Sequence, residues 1–338
     1  MARANADMTD TAVMLPAGLE SFLETAGWAG SQVEPLPGDA SFRRYFRIRR
    51  DDETAMLMDA PPPNEDPGPF LRAAHWLNAN DMRAPRILAE QAERGLVLIE
   101  DFGEACMRDY LDQWPADETD TYKGAVDALV KLHRLPPGPF LEYSMSEYQR
   151  EARLFVDWYC AARGLEVDVP GFIAAWDATL GGMLPRQHPG VTVLRDYHAE
   201  NIMLLGALEK QGLLDFQDAL VGHPAYDLVS LLQDARRDVS AELEAQMFDH
   251  YTQASGVDAG TFLADYARLG AQRNTKIVGI FVRLWKRDGK PRYLDMIPRV
   301  WALLERDLAH PALAPVAHWF DANIPADVRQ AGGGKFEL

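Results

Sequence analysis

The rhythm of hydrophobic and polar positions changes once along this chain, near Gly103. Before that point the apolar residues mostly alternate. Residues 31–36 read as a strand, Pro37-Gly38-Asp39-Ala40-Ser41 as a turn, and residues 42–50 and 54–58 as two more strands around Asp51-Asp52. Pro61-Pro62-Pro63 ends the third strand. Residues 69–80 have amphipathic helical spacing, and 86–89 and 96–99 are further strands. A short helix over 17–26 precedes the set. Beyond Gly103 the period is helical almost throughout, with helices predicted over 107–113, 120–133, 146–163, 171–184, 224–234, 240–255, 259–285 and 293–308. The seventh of these is expected to be broken. The predicted class is α+β, with a β-rich first lobe over residues 1–102 and a larger helical lobe over 103–338.

Composition narrows the function. The chain has 338 residues, 47% of them hydrophobic, which is enough for a substantial core in each lobe. A net charge of −17 argues against nucleic acid and against an anionic membrane surface as partners, because both need clustered Lys and Arg. Cys106 and Cys160 are the only cysteines, too few for a disulfide framework or a metal cluster. The N-terminus lacks the basic and apolar pattern of a signal peptide, and no apolar run approaches bilayer length. The expectation is a cytoplasmic protein with a small-molecule substrate and no obligate protein partner. Its seven lysines all lie beyond residue 120.

The chemistry concentrates in Leu194-Arg195-Asp196-Tyr197-His198-Ala199-Glu200-Asn201, followed by apolar Ile202 to Leu205 and by Gly212-Leu213-Leu214-Asp215. Phosphoryl transfer needs a carboxylate beside the attacking hydroxyl and oxygen ligands that hold Mg²⁺ on a triphosphate. An Asp five residues before an Asn, then two short apolar strands and a second Asp, supplies that set. The strands would form a hairpin that brings Asn201 and Asp215 side by side. A polar loop with an incidental Asp and Asn is the plain alternative for each residue taken singly.

This stretch resembles the protein-kinase catalytic loop H-R-D-L-x-x-x-N and the H-G-D-x-H-x-x-N loop of the aminoglycoside phosphotransferase and choline kinase superfamily. The resemblance implies a two-lobed protein-kinase-like fold with ATP and Mg²⁺ as cofactors. By the same match Asp196 is the base or hydroxyl-orienting group, and Asn201 and Asp215 are the metal ligands. Gly222-His223-Pro224-Ala225-Tyr226-Asp227-Leu228 is similar to the G-D-P-x-Y-D-L segment of that superfamily, which makes Asp227 a brace for the loop. Leu129-Val130-Lys131-Leu132-His133 is similar to its L-x-x-L-H helix. The backbone of Glu100, Asp101 and Phe102 is expected to meet the adenine.

One part of the pattern is missing. Kinases place a Lys on the third strand to reach the phosphates, and here Met58 stands in that region. Residues 70–80 also contain no acidic partner for such a base. Instead residues 42–50 carry five arginines. Arg43 or Arg44, next to the turn, is the candidate replacement, with turn amides near Ser41 helping to hold the phosphates. A solvated strand balanced by Asp51, Asp52 and Glu53 is the alternative.

For the acceptor, the segments around Phe42 to Arg47, Tyr148 to Tyr159 and Arg273 to Tyr293 resemble the anomeric N-acetylmuramate/N-acetylglucosamine kinases of peptidoglycan recycling. That resemblance implies phosphorylation of a C1 hydroxyl, with Tyr148, Glu151, Trp158, Arg195, Tyr197, His198 and Arg273 as candidate sugar contacts. A lactyl carboxylate would call for Arg195 or Arg273. Other acceptors (an aminoglycoside, choline, homoserine) and a catalytically silent nucleotide-binding regulator remain the competing readings.

Overall fold

The computed structural model describes residues 14–37 and 43–336, so Ser41 and its turn lie outside the described residues. The chain divides into two compact units. One is built on residues up to Leu71 with Arg86–Asp101, the other on Arg72–Pro85 with the chain from Phe102 onward. Residues 72–85, assigned to the first lobe from the sequence, thus group with the second unit.

In the first unit β1 (Gln32–Pro35), β2 (Arg44–Arg50), β3 (Glu53–Asp59), β4 (Ile87–Gln91) and β5 (Leu96–Glu100) form an antiparallel sheet in the order β1-β2-β3-β5-β4. Alternation along the strands turns one face inward. The register aligns Phe46 with Leu57 and Leu57 with Leu98, a row of three fully buried side chains. Helix α1 (Leu19–Thr25) covers that face with Leu19, Phe22 and Leu23.

Helix α2 (Gly68–Ala79) begins in the first unit and runs into the second. The rest of the second unit is helical: α3 (Met107–Gln113), α4 (Glu118–His133), α5 (Met145–Ala152), α6 (Val169–Gly181), α7 (Leu184–Gln187), α8 (Ala225–Leu232), α9 (Ala241–Ser255), α10 (Ala259–Asp288), α11 (Ile297–Leu308), α12 (Ala314–Asn323) and α13 (Ala326–Gln330). Two ribbons interrupt the helices. Strand β6 (Val191–Val193) pairs with β9 (Leu220–Gly222), and β7 (Ile202–Leu204) pairs with β8 (Gln211–Leu213). Strands β6 and β9 and helices α12 and α13 have no counterpart in the sequence reading.

Two helices depart from expectation, and they meet at one contact. The helix expected over 146–163 ends at Ala152, and Phe155–Cys160 forms a wider π-helical turn. The helix expected to break, α10, instead runs for 30 residues, capped by the Asp258 side chain and closed by Gly289 in the left-handed conformation. Its internal glycines serve close approach. A Cβ at Gly279 would sit 2.3 Å from the Leu154 carbonyl carbon, and one at Gly270 would sit 2.5 Å from the Asp307 carboxylate. The backbone of α10 therefore presses on the point where α5 gives way to the π-helical turn.

This packing has a measurable consequence. Gly279→Ala forces backbone against backbone and should destabilise the chain by roughly 1–3 kcal/mol. Gly260→Ala on the same helix, exposed and with its nearest neighbour 3.8 Å away, should stabilise by about 0.4–1 kcal/mol. Urea midpoints moving in opposite directions would support the geometry. A Gly279→Ala chain as stable as its parent would show that the two segments do not approach this closely.

Candidate active site

The loop after β6 is shaped by one carboxylate. Asp227, buried in the first turn of α8, accepts the backbone N–H groups of Leu194 at 2.6 Å and Arg195 at 2.8 Å. Burial pushes Asp227 up to about 7, while these two donors pull the other way. Arg195 and Asp215 have φ of +73° and +57°, a region costly for side chains other than glycine. Arg195 is kept there by Asp227, by the Ser230 hydroxyl donating to its carbonyl at 3.2 Å, and by an ion pair from its guanidinium to Glu151.

The hairpin sets the next pair. Ile202 faces Leu213, and the Leu214 N–H donates to the Asn201 carbonyl at 2.9 Å, which carries Asp215 alongside Asn201. Asn201 Nδ2 donates to the Asp196 carbonyl at 2.9 Å and lies 3.3 Å from both Asp215 Oδ2 and His198 Nε2. With its nitrogen turned toward these three atoms, the other polar atom of Asn201 is Oδ1, an oxygen of the kind that could hold a hard cation. Gln217 Nε2 donates to Asp215 Oδ1 at 2.6 Å and fixes that carboxylate.

Asp196 lines a cavity of about 310 Å³ within the second unit, together with Glu151, Arg195, Arg273 and Lys276. Leu154, Ile277, Ile280 and Phe281 give it an apolar wall. Burial opposes charge on Asp196, yet Lys276, Arg273 and Arg195 outweigh it and hold the pKa below the usual carboxylate value. Glu151 is the internal counter-ion. It pairs with Arg195, with Lys276 at 3.3 Å and with the Tyr143 hydroxyl, and these outweigh burial to bring it down to about 2. Lys276 also donates to the Tyr226 hydroxyl at 2.7 Å. Burial disfavours its charge, but Glu151 overrides that and raises its pKa.

Several candidate sugar contacts turn out to be packing groups. Tyr148 is fully buried, stacks on Tyr143 at 3.9 Å and donates to Gln187 Oε1 at 3.1 Å. Tyr197 is buried with its hydroxyl on the Ala125 carbonyl. His198 is buried away from the cavity lining. Arg236 donates to its Nε2 at 3.2 Å, and burial pushes its pKa down to about 4, so the ring is neutral. Trp158 is half-buried on the π-helical turn and is not part of the cavity lining. Aromatic periodicity cannot separate a core ring from a pocket ring, and here the core took them. Arg195, Glu151 and Arg273 do line the cavity. Lys276 was not singled out from the sequence. Its signal was a lysine three residues after Arg273, at the head of the apolar run Ile277 to Val282.

In the first unit the arginine strand is internally paired. Arg43 Nε meets Glu65 at 3.1 Å, Arg44 binds Asp59 at 2.5 and 2.9 Å, and the buried Arg47 meets Asp101 at 2.9 Å. The acidic partner sought within residues 70–80 is absent there; Glu65 lies just before α2. Met58, at the place of the missing lysine, is fully buried opposite Tyr45 and Val97. Glu100 accepts from the Arg86 side chain at 3.1 Å, and in the second unit the Phe102 ring lies under Arg83 at 4.7 Å.

The model of the Phosphotransferase enzyme family matches residues 32–270. An N-acetylmuramate/N-acetylglucosamine kinase of Caulobacter vibrioides is 36% identical, covering 92% of this chain and 97% of that protein. Proteins of the same name from Pseudomonas aeruginosa and Neisseria meningitidis are 37% and 33% identical over 88% and 79% of this chain, and 91% and 83% of their own. Among solved structures, ADP-bound aminoglycoside phosphotransferase APH(2'')-Ib aligns with a TM-score of 0.60 at 14% identity, covering 86% of this chain and 97% of its own. A choline/ethanolamine kinase family protein from Mesorhizobium loti aligns with 0.61 at 15%, covering 90% and 98%. These two likenesses establish the two-lobed, protein-kinase-like fold. The family match and the relatives above 30% identity show that the chain belongs to the phosphotransferase enzyme family.

Proposed function

We propose that the chain is an ATP-dependent kinase that phosphorylates the C1 hydroxyl of N-acetylmuramate and N-acetylglucosamine, acting in the cytoplasm, where ATP is at hand. The observation that carries the reading is an ionised Asp196 in the wall of a sugar-sized cavity, in a chain whose relatives across most of its length bear that name. The hydroxyl oxygen attacks the γ-phosphorus, the new O–P bond forms as the bond to the bridging oxygen breaks, and ADP leaves. Asp196 orients the hydroxyl and takes its proton. A low pKa suits orientation, since phosphoryl transfer demands little nucleophile deprotonation in a loose transition state. An anomeric hydroxyl eases the task further, being more acidic than a ring alcohol.

The metal reading rests on Asn201 and Asp215. No cluster of three or more His, Cys, Asp or Glu side chains among the described residues is arranged to hold an ion. Two oxygen donors suit Mg²⁺, which keeps water and substrate phosphate in its remaining positions. When bound it would take up charge on the phosphate oxygens. For the nucleotide, Arg43 or Arg44 is assigned to the phosphates in place of the lysine, and the backbone of Glu100 to Phe102 to the adenine.

The cavity disfavours the cationic competing acceptors. Among the described residues lining it, six are basic (Arg150, Arg195, Arg236, Arg273, Lys276, Arg283) and three acidic (Glu151, Asp196, Asp218). A cationic aminoglycoside or choline would meet like charge. A silent nucleotide binder would have no use for a carboxylate facing an acceptor cavity.

Three measurements test the reading. Asp196→Asn should retain ATP binding while kcat falls roughly 10²–10⁴-fold; undiminished turnover would remove Asp196 from the reaction. The methyl glycoside of N-acetylglucosamine, blocked at O1, should be inert in an ADP-release assay, and brisk phosphorylation would move the reaction to another hydroxyl. Arg43→Ala or Arg44→Ala should raise the KM for ATP well beyond the effect of Arg49→Ala. Equal, small effects would leave the phosphates to backbone amides and Mg²⁺.

A further inference from the structure

We propose that Arg273 recognises a carboxylate on the acceptor, so that this site discriminates an acid-bearing amino sugar from its neutral counterpart. The inference rests on the acceptor reading above and assigns one residue within it.

Of the other cations that line the cavity with Asp196, all but Arg283 are already engaged. Arg195 is held by Glu151 and the Asp218 carbonyl, Lys276 by Glu151 and the Tyr226 hydroxyl, and Arg236 by Glu200 and His198. Arg273 is only 2% exposed, and its Nε and Nη1 have no acceptor. Its neighbours in α10 are satisfied: Gln272 donates to the Tyr148 carbonyl at 2.9 Å and Asn274 to Gln233 at 2.7 Å. Asp196 and Asp227 lie near enough to feel the charge of Arg273, but two buried N–H donors without an acceptor are costly, and a fold that retains them has a use for them.

The anion it awaits comes from the acceptor rather than from the nucleotide. Arg273 lines the cavity with Asp196, whereas Asn201 and Asp215 do not line it. Ile277 and Phe281 follow at four and eight residues along the same helix face and belong to the same wall. An apolar wall with one planar cation at its edge suits a sugar ring carrying a carboxylate, and the guanidinium fork matches two carboxylate oxygens. N-acetylmuramate carries such a group in its lactyl ether; N-acetylglucosamine does not. Arg283, whose Nε also lacks an acceptor, lies ten residues further along α10, about 15 Å away at the helical rise. It is half-buried with only Nε left in that state, whereas Arg273 is buried with two such donors.

The test compares three acceptors: N-acetylmuramate, its lactamide with the carboxylate converted to a neutral amide, and N-acetylglucosamine. The wild-type chain should prefer the acid over the amide by roughly 10–100-fold in kcat/KM, the worth of one charge-assisted hydrogen-bonded pair. In Arg273→Gln that ratio should fall to about one, through KM for the acid. Arg273→Lys, which keeps the charge and loses the fork, should give an intermediate ratio. A wild-type chain that does not distinguish acid from amide overturns the inference without need of any variant. A ratio unchanged in Arg273→Gln, with all three sugars falling together, also overturns it and gives Arg273 to the transferred phosphoryl group or to the fold. Turnover of none of the three sugars by the wild-type chain would sink the acceptor reading, and this inference with it.

Discussion

Two hydrogen bonds from the backbone of Leu194 and Arg195 to the buried carboxylate of Asp227 decide the course of the catalytic loop. Arg195 adopts a left-handed conformation that an arginine does not favour, and it does so because its N–H, its carbonyl and its guanidinium are each claimed by a different partner. Once Arg195 is turned, Asp196 follows into the cavity wall and its carbonyl becomes the acceptor for Asn201 Nδ2. The orientation of the proposed metal ligand is thus inherited, through three residues of backbone, from a side chain at the start of α8. Burial works against charge on Asp227, and the adjacent Asp196 adds to that, so the site needs Arg273 and the amide donors in compensation.

That compensation explains how a chain of net charge −17 comes to line its cavity with cations. Asp196, Glu151 and Asp227 are carboxylates withdrawn from water in a small volume. Arg195 and Lys276 share Glu151 between them, and Asp196 is stabilised by what remains of their charge. Bulk charge carries no information about this arrangement, because the surface acids are screened by salt over about 8–10 Å. The cavity is governed by a handful of partly desolvated groups.

Much of the site was legible because its chemistry is local in sequence. Asp196, Asn201 and Asp215 lie within twenty residues, and the apolar runs between the last two fold into the expected β7–β8 hairpin. The succession of a β-rich part and a helical part followed from period and turn residues, without β6, β9, α12 and α13. What was not legible depends on partners far away in the chain. Tyr148 meets Gln187, Tyr197 meets the carbonyl of Ala125, and Arg43 meets Glu65, none of which a window of residues reveals. The same holds for Gly279, whose meaning as a close approach needs Leu154 opposite it.

Helix α10 joins these strands of the argument. An unbroken helix places Arg273, Lys276, Ile277, Ile280 and Phe281 on neighbouring turns of one face, so the cation and the apolar wall of the cavity form one rigid row. The same apolar wall includes Leu154, whose carbonyl is the group that Gly279 approaches. The gap between α10 and the end of α5 therefore enters both the packing of the second unit and the width of the cavity. Any residue at 279 larger than glycine would push these segments apart and shift Arg273 relative to Asp196. Stability and the width of the cavity are then tied to the same close contact.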